Sequence, residues 1–423
     1  MEMEMEMERS GKPIEELTSG ASGRIIPVFR GVCRSVLSRD AVLRFLVFLQ
    51  SILLWFLILV RLHGRRSSIP AKTASAAPSS RRRIGVSVRG GRWSLLEGDD
   101  MRRRRLLAER VEMKVNFVEK SGEGNGPTCT CEYFMLLGTR RNALFCRSWL
   151  PASANMKAIV VIIHGLNEHS GRYAHFASQL TTSNFGVYAM DWIGHGGSDG
   201  LHGYVPSLDW IITDIDMLLE KIKLENPGVP CFLFGHSTGG ALVLKAALVP
   251  HIKAALEGVI LTSPALRVKP AHAIVGVVAP LFSLLLPKLQ FKGAHKKGIP
   301  VSRDLAAMEA KYSDPLVYTG PIRVRTGHEI LRISSYLMQH IGSVTIPFMV
   351  LHGTADKVTD PLASQDLYNG APSKHKDIRL YDGLLHDLLF EPERFQIGEE
   401  IINWMEERLQ YPKILLTAHD NKY

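Results

Sequence analysis

Short apolar runs alternate with longer amphipathic segments from about residue 111 onwards. Two runs, 132–137 and 143–150, flank a polar turn at 138–142 and predict an antiparallel pair of strands. Residues 207–225 have the apolar spacing of a helix, with Pro206-Ser207 before them and Asn226-Pro227 after them. Six further runs are nearly continuous in apolar and β-branched residues, as in parallel strands buried on both faces: 158–164, 186–191, 231–235, 258–263, 347–353 and 378–383. The pattern predicts an α/β domain over 111–411, with a mostly parallel central sheet flanked by helices, and a short tail at 412–423.

The stretch from 265 to about 340 separates two predicted strands by more than a crossover helix requires, so it predicts an inserted cap. Its first half contains Ala273–Pro287, fifteen residues without a charge, interrupted by Pro280. That segment is too short to span a bilayer. It predicts either a buried helix or an apolar lid over a lipid-binding cleft, and the sequence leaves both open.

Residues 41–60 form a second kind of apolar run, in which only Arg44, Gln50 and Ser51 are strongly polar. Twenty residues match one bilayer crossing, so we expect a single-pass membrane anchor. Residues 1–40 begin with a Met-Glu repeat and are predicted to be disordered. The arginine-rich stretch 61–110 is predicted to be a solvated basic linker that faces lipid, which places the α/β domain in the cytosol. A chloroplast-type targeting segment is the alternative, although the acidic start argues against it.

Composition and charge narrow the classes of function. The chain has 423 residues, 46% hydrophobic and 22% charged, which is typical of a folded protein. Residues 1–110 hold 21 Lys/Arg and 11 Asp/Glu, whereas the remainder holds 30 of each, so the net charge of +10 belongs to the N-terminal quarter. The arginine runs lack interleaved aromatic residues, and we expect no nucleic-acid partner. The five cysteines have no disulfide-framework spacing, which favours a reduced compartment.

No cofactor or metal is predicted, because the sequence has no HExxH, paired CxxC, Walker loop or dinucleotide fingerprint. Two stretches match Gly-x-Ser-x-Gly instead, centred on Ser198 and Ser237. A nucleophilic serine of this type needs a strand directly before it and a helix directly after it. CFLF precedes Ser237 and GALVLKAALVP follows it, whereas Ser198 lies in a glycine-rich loop. Ser237 is therefore the predicted nucleophile.

The base and the acid should follow the serine along the chain in the order acid, then histidine, each after a strand. Asp356 and His386 occupy those positions. Asp360 competes with Asp356, but Asp360-Pro361 is typical of a helix N-cap followed by proline. Two backbone amides should stabilise the oxyanion, one from the residue after the nucleophile and one from the loop after an early strand. Those residues are Thr238 and Leu166.

Five motifs together resemble the monoacylglycerol lipase family, particularly its plant branch with caffeoylshikimate esterase-like members: HGLNEHSGRY, DWIGHGGSDG, FGHSTGG, HGTADKVTDP and YDGLLHDLLFEPE. The resemblance covers roughly residues 112–411. It implies an α/β-hydrolase fold with a cap, serine esterase activity on monoacylglycerols or lysolipids, and the triad Ser237, Asp356 and His386. It also implies that Glu168, Arg172 and His236 face the glycerol of the substrate, or else support the oxyanion loop and the nucleophile turn.

Three other functions remain open at this point. The protein could be an esterase for phenolic esters such as caffeoylshikimate, an acyltransferase in which an alcohol replaces water, or a membrane-bound scaffold with an unused site. A His-x4-Asp acyltransferase signature is absent from the sequence. The oligomeric state, acyl-chain length and head group are not predicted.

Overall fold

The structure is a computed structural model that describes Gln50 and residues 95–119, 129–153, 155–268, 273–290 and 299–420. The chain divides into two units, 1–85 and 86–423, and every element described below belongs to the second unit. Apart from Gln50, the predicted disordered N-terminus and the predicted membrane anchor lie outside the described residues. Within the described ranges, no helix is both long enough and apolar enough to cross a membrane.

Eight strands form one sheet, and they confirm the predicted mostly parallel α/β architecture. Their order across the sheet is β1-β2-β4-β3-β5-β6-β7-β8. β1 and β2 are antiparallel, β2 and β4 are antiparallel, and all other neighbours are parallel. The strands are β1 Cys129–Leu137, β2 Ala143–Pro151, β3 Ala158–Ile163, β4 Phe185–Met190, β5 Cys231–His236, β6 Gly258–Thr262, β7 Phe348–Gly353 and β8 Lys376–Tyr381.

Helices cover both faces of the sheet, which explains why the central strands are apolar except at their carboxyl ends. In β3, Ile159, Val161 and Ile163 belong to one apolar cluster, whereas the residues between them belong to a second cluster on the opposite face. The helices are α1 Leu95–Glu119, α2 Ala174–Thr182, α3 Leu208–Glu225, α4 Thr238–Ala246, α5 Pro250–Ala254, α6 Ala273–Leu285, α7 Leu305–Ser313, α8 Val324–Gln339, α9 Pro361–Gly370 and α10 Arg394–Asp420.

Three of these helices, α6, α7 and α8, lie between β6 and β7, where the sequence predicts an inserted cap. Ala279 and Ser283 of α6 are buried, but Leu281 is 55% exposed and Leu284 is 75% exposed. Leu285, Leu286 and Leu289 are also exposed. The described part of α6 is therefore buried on one side only, which fits an apolar lid better than a buried helix.

The structure differs from the sequence prediction at the N-terminal boundary of this domain. Helix α1 begins at Leu95, and Arg104 within the supposedly solvated linker is only 2% exposed. Its guanidinium donates to the carbonyl oxygens of Gly196 at 2.5 Å, Ser198 at 3.1 Å and Gly200 at 2.7 Å. The linker prediction was wrong here, because these loop carbonyls need donors that a buried guanidinium can supply.

A second pair of contacts fixes α1 on the same loop. Arg105 pairs with Asp199 at 2.8 Å, and Ala108 is fully buried beside Gly197. The compact unit therefore begins before residue 111. At the other end, α10 continues across the predicted start of the tail to Asp420.

Candidate active site

Ser237 lies at the sharp turn between β5 and α4. Its φ of 54° is in the left-handed region, which costs a non-glycine residue backbone strain. A Cβ on Gly235 would lie 2.5 Å from the carbonyl oxygen of Gly239, and a Cβ on Gly239 would lie 2.2 Å from that of Ile163. Only glycine fits at these two positions, so the turn has the close backbone packing that the Gly-x-Ser-x-Gly pattern predicts.

The structure brings Ser237, His386 and Asp356 into one hydrogen-bonded chain. His386 Nε2 lies 2.9 Å from Ser237 Oγ, and His386 Nδ1 lies 2.7 Å from Asp356 Oδ2. All three residues follow strands at the carboxyl edge of the sheet, after β5, β7 and β8. In this arrangement the serine hydroxyl donates to Nε2, and the Nδ1–H group donates to the carboxylate.

Several donors hold the carboxylate of Asp356. It accepts hydrogen bonds from the backbone amides of Val358 at 2.7 Å and Thr359 at 3.1 Å, from Thr359 Oγ1 at 2.8 Å, and from His352 Nε2 at 3.0 Å. Burial alone would raise the pKa of Asp356, but the charge of His386 and the hydrogen bonds from His352 and His386 hold that pKa well below its usual range. Asp356 is therefore a carboxylate at neutral pH.

Asp360, the alternative acid, has a different position. Its side chain accepts a hydrogen bond from the Leu362 amide at 3.1 Å and caps α9, with Pro361 at the first helical position. Its other oxygen lies 3.1 Å from Arg267. These contacts agree with the predicted N-cap role.

Ser198, the centre of the second Gly-x-Ser-x-Gly match, is fully buried. Its Oγ accepts from the amide of Phe145 at 2.8 Å and donates to the carbonyl of Asp191. Both of its hydrogen-bonding functions thus serve the contact between β2 and the glycine-rich loop.

The predicted oxyanion donors are on the residue after the nucleophile and on a loop beside it. Thr238 is the first residue of α4, and a Cβ on Gly165 would lie 3.3 Å from Ser237 Cβ, which places the loop that carries Leu166 beside the turn. Glu168 Oε1 accepts from the Gly165 amide at 2.6 Å and fixes this loop. Among the described residues, neither the Leu166 amide nor the Thr238 amide has a hydrogen-bond partner, so both are available to an oxyanion.

Glu168, Arg172 and His236 belong to a buried charge cluster, which we define as these three residues with Lys311 and Asp387. Arg172 Nη1 lies 3.1 Å from Glu168 Oε2, and Arg172 Nη2 lies 3.7 Å from Asp387 Oδ2. His236 Nε2 lies 3.3 Å from Asp387 Oδ1. Burial opposes ionisation of Glu168, but Arg172 and Lys311 lower its pKa to about 2. These contacts hold Glu168, Arg172 and His236 beside the oxyanion loop and the nucleophile turn, and a role in facing the glycerol stays a prediction.

Other residues that hold the catalytic histidine carry no signal in the sequence. Ser263, at the end of β6, donates from its hydroxyl to the carbonyl oxygen of His386 at 2.7 Å. Its own carbonyl oxygen lies 3.1 Å from Thr359 Oγ1. His352 lies within β7, donates to or accepts from Ser364 at 2.8 Å, and contacts Asp356 through its other nitrogen. Each resembles an ordinary strand residue, and only the long-range contacts reveal its position.

His236, His386 and Asp387 form the one grouping of potential metal-binding side chains among the described residues, with ligand atoms within 4.8 Å. Both nitrogens of His386 contact Ser237 and Asp356, and both oxygens of Asp387 contact cationic or histidine groups. The donor atoms are thus engaged within the protein, and this geometry suits proton transfer rather than metal binding.

Comparison with known proteins gives a family match and related sequences. The family model described as "Serine aminopeptidase, S33" matches residues 154–393. Monoglyceride lipase of Rattus norvegicus is 33% identical over 272 residues, which cover 63% of this chain and 88% of the relative. Caffeoylshikimate esterase of Arabidopsis thaliana is 28% identical over 282 residues, which cover 64% of this chain and 84% of the relative.

Solved structures show the same fold. The monoacylglycerol lipase of Paleococcus ferrophilus has a TM-score of 0.56 at 29% identity and covers 63% of this chain and 99% of its own. A soluble variant of the monoglyceride lipase of Saccharomyces cerevisiae, solved with a substrate analog, has a TM-score of 0.59 at 20% identity and covers 68% of this chain and 98% of its own.

Proposed function

The chain belongs to the monoacylglycerol lipase-like family of α/β-hydrolases, and from this premise we propose that it is a serine hydrolase that cleaves monoacylglycerols or related lysolipids. The observation that carries the proposal is the hydrogen-bonded chain Ser237–His386–Asp356 at the turn beside the two available amides. Relatives at 28–33% identity that are named as lipases or esterases support ester hydrolysis.

In the proposed mechanism, Ser237 Oγ attacks the ester carbonyl while His386 Nε2 takes the hydroxyl proton. Asp356 holds the Nδ1–H group and stabilises the imidazolium. The amides of Leu166 and Thr238 donate to the oxyanion of the tetrahedral intermediate. His386 then protonates the leaving glycerol oxygen, which leaves the acyl group bound to Ser237. A water molecule attacks this acyl-enzyme ester with His386 again as the base, and the fatty acid is released. Each chemical step therefore uses the same histidine.

Two parts of the structure support a lipid substrate. The described face of α6 exposes leucines, which would be costly in water unless an acyl chain or a lipid surface covers them. The buried charge cluster offers Glu168, Arg172 and His236 at the polar end of the site, where a glycerol head group would be oriented. We propose that these residues set head-group preference chiefly by holding the oxyanion loop and the nucleophile turn.

A substrate panel tests the proposed function. The purified full chain in detergent is assayed against monoacylglycerols, lysophospholipids, phenolic esters such as caffeoylshikimate, and aminoacyl amides, with the Ser237→Ala chain as background. We expect monoacylglycerols to give the highest kcat/KM, because the relatives named as monoglyceride lipases match over 88% of their length. Faster cleavage of phenolic esters or amides would contradict the assignment, as would acyl transfer to an added alcohol in preference to water.

We further propose that residues 41–60 anchor the enzyme in a membrane with the catalytic domain in the cytosol; the support is the apolar sequence and its basic flank. The full chain should stay in the membrane pellet after carbonate or high-salt washing, because weakening head-group contacts does not release a spanning helix. Protease added to intact membranes should digest the catalytic domain.

The control for the anchor is deletion of 41–60 alone, which retains α1. This variant should move to the soluble fraction after washing and still hydrolyse a short-chain ester. If the chain without this deletion is recovered from an organelle as a soluble protein with a processed N-terminus, residues 41–60 belong to a targeting segment and the anchor proposal fails.

A further inference from the structure

The cap places one cation against the residue that follows the catalytic histidine. Lys311, on α7, has its Nζ 2.7 Å from Asp387 Oδ2. The Asp387 side chain is 1% exposed and the Lys311 side chain 16% exposed, so water screens this pair weakly. Burial alone would raise the pKa of Asp387, yet Lys311 and His236 hold that pKa well below its usual range.

Backbone contacts hold the same cap segment on the histidine loop. The Asp387 amide donates to the carbonyl of Val301 at 2.7 Å, and the Ser302 hydroxyl donates to the carbonyl of Phe390 at 2.8 Å. The Arg303 amide donates to Glu391 at 2.9 Å, and Glu391 also accepts from the Leu385 amide at 2.8 Å. Lys311 therefore approaches Asp387 from a docked segment and not from a loosely attached surface.

Within the charge cluster two anions face two cations, and one of the cations comes from the cap. Glu168 and Asp387 are anionic, Arg172 is cationic, and all three come from loops of the sheet. Lys311 is the second cation and comes from the cap. Without it, an uncompensated negative charge would remain buried next to His386, whose ring centre lies 4.9 Å from that of His236.

We propose that Lys311 and Asp387 are a positioning pair that tunes the proton affinity of His386 and makes it depend on cap docking. This inference rests on the proposed function, because it requires His386 to act as the general base. An anionic Asp387 favours the protonated imidazole, whereas a cationic Lys311 disfavours it. The docked cap thus favours the neutral base that attack by Ser237 requires.

The other charged or titratable groups around this site are unchanged in the experiment below. Asp356 contacts His386 from the loop after β7, His352 of β7 contacts the same carboxylate, and His236 faces His386 from β5. Glu168 and Arg172 face Asp387 from the segment after β3. Asp314 of the cap pairs with His169 at 2.7 Å and lies near Arg172. Glu391 of the histidine loop pairs with Arg303 of the cap at 3.2 Å. A difference between variants of Lys311 and Asp387 therefore reports on this pair.

The test measures the pH dependence of kcat/KM for a soluble short-chain ester in the full chain. In Lys311→Met, the acidic limb should move to higher pH by about 0.5–1 unit, because the remaining buried anion favours protonation of the base. In Asp387→Asn, the limb should move to lower pH by a similar amount. The double variant should have its acidic limb close to the wild-type position. Lys311→Arg should also keep the wild-type position, because the charge is preserved.

Lys288→Met is the matched control on the cap, because Lys288 pairs with Glu97 at 2.9 Å with its side chain 53% exposed. Its limb should not move, since exposed pairs are strongly screened. Shifts of the same sign in both single variants, or no shift in either variant while the wild type is active, would overturn the inference. If the wild type itself neither hydrolyses esters nor reacts with a fluorophosphonate, the proposed function fails instead. Thermal melting of each variant identifies any that is unfolded. If Lys311→Met is unfolded, the acidic limb of Asp387→Asn is compared with that of Lys311→Arg, and the inference requires that only the limb of Asp387→Asn moves.

Discussion

Ser237→Ala is expected to lower kcat for ester hydrolysis by about 10⁶ and to abolish labelling by a fluorophosphonate probe, because no other hydroxyl takes the place of the nucleophile. The fold should be retained. Alanine is smaller than serine, so it adds no atoms to the tightly packed turn, and among the described residues the serine hydroxyl has its hydrogen bond with His386. Steady-state assays and gel-based labelling measure both effects.

Ser198→Ala is the matched control, since it changes the centre of the other Gly-x-Ser-x-Gly match. It removes the hydrogen bonds to Phe145 and Asp191, so it should lower the free energy of unfolding by about 1–3 kcal/mol. Labelling should persist below the melting temperature. Loss of labelling in a folded Ser198→Ala chain, with labelling intact in Ser237→Ala, would reverse the assignment.

Asp356→Asn should lower kcat by about 10⁴ with KM little changed, because an amide at this position favours the wrong tautomer of His386 and no longer stabilises the imidazolium. The hydrogen bonds strengthen this expectation. An asparagine amide group can satisfy only some of the donors, from Val358, Thr359 and His352, that now converge on the carboxylate. Its NH₂ group would face one of them.

The isosteric control is Asp360→Asn. Asparagine is as good an N-cap as aspartate, so α9 should keep its first turn. The lost ion pair with Arg267, whose side chain is 36% exposed, should cost about 0–1 kcal/mol, and kcat should stay within a few-fold. A larger loss of kcat in Asp360→Asn than in Asp356→Asn would identify Asp360 as the acid.

The sequence was sufficient to predict the mostly parallel sheet and the three residues that the structure joins by hydrogen bonds, Ser237, His386 and Asp356. The strands bury both faces, so β3, β5 and β6 are continuous apolar runs that are visible without any long-range information. The triad residues follow strands in a fixed chain order, and Ser237 is distinguished from Ser198 by the local strand and helix alone.

Features that depend on distant partners could not be predicted. In the sequence Arg104 looks like the other three arginines of its run, and its burial depends on carbonyls about ninety residues away in the chain. Lys311 belongs to no recognisable sequence motif. Its pairing with Asp387 is visible only in the folded structure, where the cap packs on the loop after β8. The same holds for His352, which the pattern shows only as one residue of a strand.

The packing of α1 has a consequence for how the enzyme can be released or trimmed. A cut upstream of Leu95 leaves Arg104 in place, so a processed form that starts between the predicted anchor and α1 should keep its full stability and activity. A cut after Arg105 removes Arg104 and Arg105, whose side chains donate hydrogen bonds to carbonyl oxygens of the loop at 196–200. A fragment that begins at residue 154, where the family match begins, also loses β1 and β2 and leaves β4 as a bare edge strand that can pair with other chains and aggregate. The useful proteolytic boundary of this enzyme therefore lies before Leu95, well outside the segment it shares with its family.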